Sequence, residues 1–198
     1  MNKFSRKVST VVFIAARWTA LAVLLVPLFG CASIRKALDG GVVKSDLNGH
    51  PEIDFEAVKQ LTRVDCGAAC LAFVLPQWGN DYTLKQIEAE LPSPGRFGYS
   101  LAQLQSFAAS KGLFAFLFSG TVDDLRKQTA LGRPCIIVYQ VNQDANHAVV
   151  VTGLIDGGTS DPKFLVMDPG KNKISTVKQK WIEPRWKALQ SPILLVGM

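Results

Sequence analysis

Residues 60–71 read Gln60-Leu61-Thr62-Arg63-Val64-Asp65-Cys66-Gly67-Ala68-Ala69-Cys70-Leu71. From Cys66 the chain is almost unbrokenly apolar to Leu75, and Pro76 and Gly79 end the run. Such a run, bounded by helix breakers, predicts a buried helix with Cys66 in its first turn. Asp65 stands at the N-cap position, and Gly67 lets another backbone approach closely. A protonated thiol is a poor nucleophile. A helix N-terminus and a nearby imidazolium together lower a cysteine pKa from about 8.5 to about 3–4. The helix supplies the first device, and the second must come from elsewhere in the chain.

Downstream, Thr83-Leu84-Lys85-Gln86 and Ser100-Leu101-Ala102-Gln103 have capping-box spacing and predict helix starts. The first helix runs to about Leu91 and is broken by Pro92-Ser93-Pro94-Gly95. The second ends at Gly112, with Leu101, Leu104, Phe107 and Ala108 on one apolar face. Leu113–Phe118 is β-like. Thr121 to Leu131 reads as a helix carrying Asp123 and Asp124 in its first turn, where the dipole favours acids. The segments 135–141, 148–155, 164–167, 174–177 and 193–196 are β-branched or apolar runs separated by turns. Trp181–Leu189 reads as helical despite Pro184. Helices first and antiparallel strands second make an α+β layout.

The second histidine of the chain, His147, opens the strand Asn146-His147-Ala148-Val149-Val150-Val151. An imidazole acting as a base needs a group that fixes its tautomer. Asp168 ends the next strand, ahead of Pro169. If the two strands pair antiparallel across the loop at 157–162, the start of one meets the end of the other, and His147 and Asp168 become neighbours. Asp161, also before a proline, sits in a polar loop and is the weaker candidate. Gln60 is placed to donate to an oxyanion, with the Cys66 N–H as second donor.

Gln-x5-Cys-Gly-x-x-Cys-Leu, then Asn-His-x-Val-Val-Val, then Met-Asp-Pro resembles the bacteriocin-processing peptidases, family thirty-nine of the papain-like cysteine peptidases. The resemblance covers about residues 55–170. It implies a papain-like fold, N-terminal helices packed on a C-terminal antiparallel sheet. It implies Cys66 as nucleophile, His147 as base and acid, Asp168 as orienter and Gln60 in the oxyanion hole. The best-known members are N-terminal domains of peptide exporters that cut leader peptides after a Gly-Gly pair. This sequence shows no transporter or ATPase segment.

The N-terminus supplies an address. Lys3, Arg6 and Lys7 precede an apolar stretch from Trp18 to Phe29, and Gly30 and Cys31 follow. These are the parts of a secretory signal, and Leu28-Phe29-Gly30-Cys31 resembles a bacterial lipobox. The expected organisation is a signal peptide over 1–30, a lipidated Cys31 and tether over 31–54, and a papain-like peptidase domain over 55–198. The expected location is the cell envelope, on the periplasmic face of the outer membrane. The alternative is an uncleaved inner-membrane anchor, in which Arg17 would cost about 2.5–3.5 kcal/mol.

The formal charge of +6 is concentrated in this leader: without Lys3, Arg6, Lys7 and Arg17, 18 Lys and Arg face 16 Asp and Glu. No basic stripe with interleaved aromatics remains, so nucleic acid is not an expected partner. Two histidines, and four cysteines at 31, 66, 70 and 135, have no zinc-site spacing, and no metal is expected. The leading reading is a membrane-anchored thiol peptidase that acts on a peptide or protein substrate, needs no cofactor and matures an exported peptide. Two other readings stand beside it: a catalytically silent peptide-binding lipoprotein serving an export complex, and a thiol redox protein using Cys66 and Cys70. Core packing is the default for Cys70, Cys135, Trp78, Trp181 and Trp186, and His50 reads as a solvated linker residue.

Overall fold

The computed structural model describes residues 44–45, 51–52, 57–155 and 161–198, all within one compact unit, 41–198. The signal peptide, Cys31, His50 and the Gly-rich loop at 157–160 lie outside the described residues.

Two short strands, β1 (Lys44–Ser45) and β2 (Pro51–Glu52), pair with each other. Then comes α1, Cys66–Val74, every residue of which is buried. A helix that is apolar all round belongs inside, and its alanines allow close packing. A 3₁₀ turn, Leu75–Trp78, ends at Gly79 in the left-handed region. Helices α2 (Leu84–Glu90) and α3 (Leu101–Ser110) both begin in reciprocal capping boxes, Thr83 with Gln86 and Ser100 with Gln103. Strand β3 (Phe114–Ser119) and helix α4 (Val122–Ala130) follow. Thr121 and Asp124 cap α4 reciprocally, so Asp124 acts through a hydrogen bond as well as the dipole.

Strands β4 (Cys135–Asn142), β5 (Ala145–Ile155), β6 (Lys163–Asp168) and β7 (Lys173–Lys178) form a meander. Helix α5 (Gln179–Lys187) keeps its course through Pro184, where the Arg185 guanidinium donates to the Trp181 carbonyl at 2.7 Å. The last strand, β8 (Pro192–Gly197), returns between β3 and β4. The sheet order is β3-β8-β4-β5-β6-β7, antiparallel throughout.

Alternation along the strands divides the core in two. Ile136, Ala148, Val150, Met167 and Leu194 face α1, α2 and α3. Ile137, Val149, Val151, Phe164 and Ile193 face α4 and α5, with Trp186 fully buried among them. The architecture is α+β as expected, with one refinement: the N-terminal helices cover one face only, and α4 and α5 cover the other. Cys70 and Cys135 are buried, as core packing predicts. Among the described residues, no helix is long and apolar enough to cross a membrane.

Candidate active site

The expected pairing of β5 with β6 is present. Val150 stands opposite Met167 and Val151 opposite Val166, so the start of β5 meets the end of β6. His147 Nε2 lies 2.8 Å from Asp168 Oδ1. β5 starts at Ala145, earlier than its apolar run implies, so the ladder with β4 already holds His147 opposite Tyr139.

Cys66 is the first residue of α1 and is 5% exposed. Ala69 N–H bonds to the Asp65 carbonyl at 2.9 Å as the helix begins, so the Cys66 N–H lies ahead of the helical ladder. The Ala148 N–H points at Cys66 Sγ, 3.5 Å away. Since Ala148 follows His147, one strand carries both the imidazole and a donor to the sulfur. Leu104 and the Tyr99 carbonyl crowd the space beside Gly67, so the close approach expected there is real.

Burial works against a charged imidazole. Hydrogen bonds to Asp168 and Cys66 outweigh it and raise the His147 pKa to about 9. Asp168 is 4% exposed, and burial favours its neutral form. Its hydrogen bonds to His147 and Lys171 prevail and hold it well below the usual carboxylate range. The Lys171 Nζ is 3.0 Å from Oδ2, and the Gly170 N–H donates to Oδ1 at 3.0 Å. The imidazolium–carboxylate form is thus favoured at neutral pH.

The imidazole also has an aromatic neighbour. Tyr139 meets it edge to face at 5.7 Å, and Trp181 meets Tyr139 at 5.5 Å. Trp181 is 42% exposed and carries the Arg185 guanidinium over its ring, 4.3 Å from the centroid. Of the three tryptophans considered as core, Trp186 fits the default and Trp181 does not.

Gln60 is tied to the same corner. Its N–H donates to the Pro169 carbonyl at 3.1 Å, and its Nε2 donates to the Thr62 carbonyl at 2.6 Å. Its Oε1 is buried with no partner. A Cβ on Gly170 would stand 3.3 Å from Gln60 Oε1, 3.3 Å from Asp168 Oδ1 and 3.5 Å from His147 Cε1. Gly170 is therefore where Gln60, His147 and Asp168 converge.

Asp65 occupies the N-cap position, but its side chain makes no cap hydrogen bond. It turns back and accepts from Leu61 N–H at 2.8 Å and Thr62 N–H at 2.9 Å. The capping expectation is corrected: two unpaired loop amides compete for the carboxylate that the helix start would use. The other carboxylate candidate, Asp161, is engaged by Lys178 and Lys180. Asp144 pairs with Arg96 on the surface.

Gly98 escapes the sequence reading. Its φ is +91°, and a Cβ there would stand 2.5 Å from the Val64 carbonyl oxygen. The turn at 95–98 presses on the loop that leads into Cys66, and only glycine fits. Beside this turn runs a cleft of about 790 Å³, lined by Phe97, Tyr99, Leu117, Phe118, Val138 and Asn146 among others. Asn146 is the residue before His147, so the cleft adjoins the site. Among the described residues, no group of three or more His, Cys, Asp or Glu is placed to hold a metal ion.

The sequence model of the peptidase C39 family matches residues 54–191. Two solved structures have a similar fold. One is the peptidase domain of Streptococcus ComA, a bi-functional ABC transporter involved in a quorum-sensing pathway. It aligns at a TM-score of 0.59 and 19% identity, covering 72% of this chain and 98% of that one. The other is the peptidase domain of Streptococcus mutans ComA, with a TM-score of 0.52 and 16% identity over 73% of this chain and 100% of that one. No curated protein matches the sequence.

Proposed function

The chain belongs to the peptidase C39 family, and from that premise we propose that it is a cysteine peptidase acting through Cys66, His147 and Asp168, with Gln60 in the oxyanion hole. The observation that carries this reading is the 2.8 Å contact between His147 Nε2 and Asp168 Oδ1. It leaves Nδ1 for the hydrogen bond with Cys66.

The Cys66 thiolate attacks the peptide carbonyl carbon, and the π electrons move to oxygen. The Cys66 N–H and a Gln60 Nε2–H donate hydrogen bonds to the oxygen as it becomes negative. One such donor is worth about 10²–10³ in rate. The C–N bond breaks, and His147 gives its proton to the departing amine. Neutral His147 then takes a proton from water, whose oxygen adds to the thioester. Collapse expels the acid and the Cys66 thiolate beside a reprotonated His147. General acid and base action of this kind contributes about 10²–10⁴.

The substrate is a peptide, and the family resemblance favours an exported one cut after Gly-Gly. The leader supports membrane anchoring through lipidated Cys31 on the periplasmic side. Two experiments test these parts separately. A fluorogenic peptide ending Gly-Gly-aminomethylcoumarin should be hydrolysed by the 32–198 domain and not by Cys66→Ala; turnover retained in that variant would sink the mechanism. Palmitate labelling of the full chain should disappear in Cys31→Ser; labelling that persists would sink the anchor.

A further inference from the structure

The reaction above leaves Asp65 without a role, although it precedes the nucleophile. Its carboxylate is fully buried. It caps nothing in its own helix, and its Oδ1 has no partner. Burying a charge in this way is costly unless it is well hydrogen-bonded. Its hydrogen bonds go backward to the two residues after Gln60: Oδ2 accepts from Leu61 N–H and Thr62 N–H at 2.8 and 2.9 Å. Thr62 is also the residue whose carbonyl holds Gln60 Nε2 at 2.6 Å. One side chain therefore joins the start of α1, where Cys66 sits, to Thr62, the residue whose carbonyl holds the Gln60 carboxamide. Gly98 closes on Val64 from outside, so the loop has little room to find another arrangement.

We infer that Asp65 is a positioning residue for the oxyanion hole: its carboxylate sets where the Gln60 carboxamide stands relative to the Cys66 sulfur. The inference rests on the peptidase reading and adds a residue to it. Asp65 touches no reacting atom and acts through Gln60.

The informative replacement is Asp65→Ser. Asp65 makes no side-chain bond to α1, so the helix start loses none in the variant, and serine is itself a good N-cap residue. A hydroxyl on one carbon does not reach back to Leu61 and Thr62. Two rates separate the roles. Hydrolysis of the Gly-Gly-aminomethylcoumarin peptide passes through an oxyanion. Alkylation of Cys66 by iodoacetamide displaces iodide at a saturated carbon and forms none.

Asp65→Ser should lower kcat by most of what Gln60→Ala loses, about 10²–10³-fold, with alkylation near the wild-type rate. The double variant Gln60→Ala/Asp65→Ser should be no slower than Gln60→Ala alone, because Asp65 has nothing further to position. Asp65→Asn, whose carbonyl still accepts both N–H groups, should recover most of the turnover. Losses that multiply in the double variant would overturn the inference. So would wild-type turnover in Asp65→Ser, or alkylation slowed as much as hydrolysis. A wild-type protein that neither hydrolyses the peptide nor alkylates readily would instead bring down the peptidase reading.

Discussion

His147 and Asp168 stand 2.8 Å apart, Nε2 to Oδ1, although 20 residues separate them in the chain. The antiparallel return of β6 along β5 produces this, since the ladder ends at Val150 and Met167 and leaves both residues at the same end. Asp168 thus holds one nitrogen of the ring, which in the proposed mechanism leaves the other to serve the thiol. The carboxylate also favours the charged ring, which in the proposed mechanism is the acid that protonates the leaving amine.

Removing that charge should move the alkaline limit of activity. In the wild type, kcat/KM should fall as pH rises through about 9, where His147 loses its proton. Asp168→Asn keeps a hydrogen-bond acceptor without the charge, so the limb should move to lower pH. Iodoacetamide alkylation should show no fall above pH 9, because a thiolate reacts without an acid. The check is a pair of pH profiles for each protein. An alkaline limb unchanged in Asp168→Asn would remove His147 as its source.

Stability should follow the same pair, with opposite signs at its two ends. His147 is raised to about 9 when folded, against about 6.5 in an unfolded chain. Its contribution is full below about pH 6.5 and is lost as pH rises through about 9. Asp168 is depressed when folded. Its contribution is present above its unfolded value of about 3.9 and is lost as pH falls below that. Urea midpoints should therefore decline on both sides of a plateau near pH 5–6. A midpoint that rises steadily from pH 7 to 10 would contradict the assignment for His147.

Gly170→Ala should separate activity from stability. Gly170 is not among the positive-φ glycines, so alanine strains no backbone, and loss of unfolded-state freedom favours the variant by about 0.4–1 kcal/mol. Its Cβ would crowd Gln60 Oε1 and Asp168 Oδ1 at 3.3 Å and touch His147 Cε1 at 3.5 Å. Displacing such groups by about 1 Å can lower a rate about 10²-fold. The expected outcome is an unfolding free energy within about 1 kcal/mol of wild type and a clear loss of kcat. Unaltered turnover would show that these three groups tolerate displacement.

Much of this was legible in the sequence for local reasons. The capping boxes at Thr83 and Ser100 need only residues three apart, and the buried helix from Cys66 needs only its apolar run. The meeting of His147 with Asp168 followed from one antiparallel pairing. What escaped depended on contacts between distant segments. Gly98 is required by Val64, and no local pattern announces that a turn will press on a loop over 30 residues earlier. Asp65 stands at the N-cap as expected, but a helix and a loop both offer its side chain N–H donors, and the loop wins. The Tyr139 contact with His147 needs the β4–β5 register, which the short turn between those strands sets. The second layer, α4 and α5, was visible as helices but not as the cover of the opposite face.

Cys70 provides the remaining test, because its neighbour on α1 is Cys66, the proposed nucleophile. Its side chain is wholly buried. Burial, then the nearby Cys66 and Asp168, push its pKa well above that of an ordinary thiol. Such a sulfur is a poor thiolate and an unreactive redox partner. Cys70→Ala removes one buried sulfur and should lower stability modestly, leaving turnover within a few-fold of wild type. In the folded 32–198 domain, iodoacetamide should label Cys66 and reach Cys70 only in denaturant, as mass spectrometry of the digested protein would read. A disulfide between residues 66 and 70 under mild oxidation, with turnover lost in Cys70→Ala, would instead make the pair a redox centre. The proton held by His147 would then serve thiol exchange and not peptide hydrolysis.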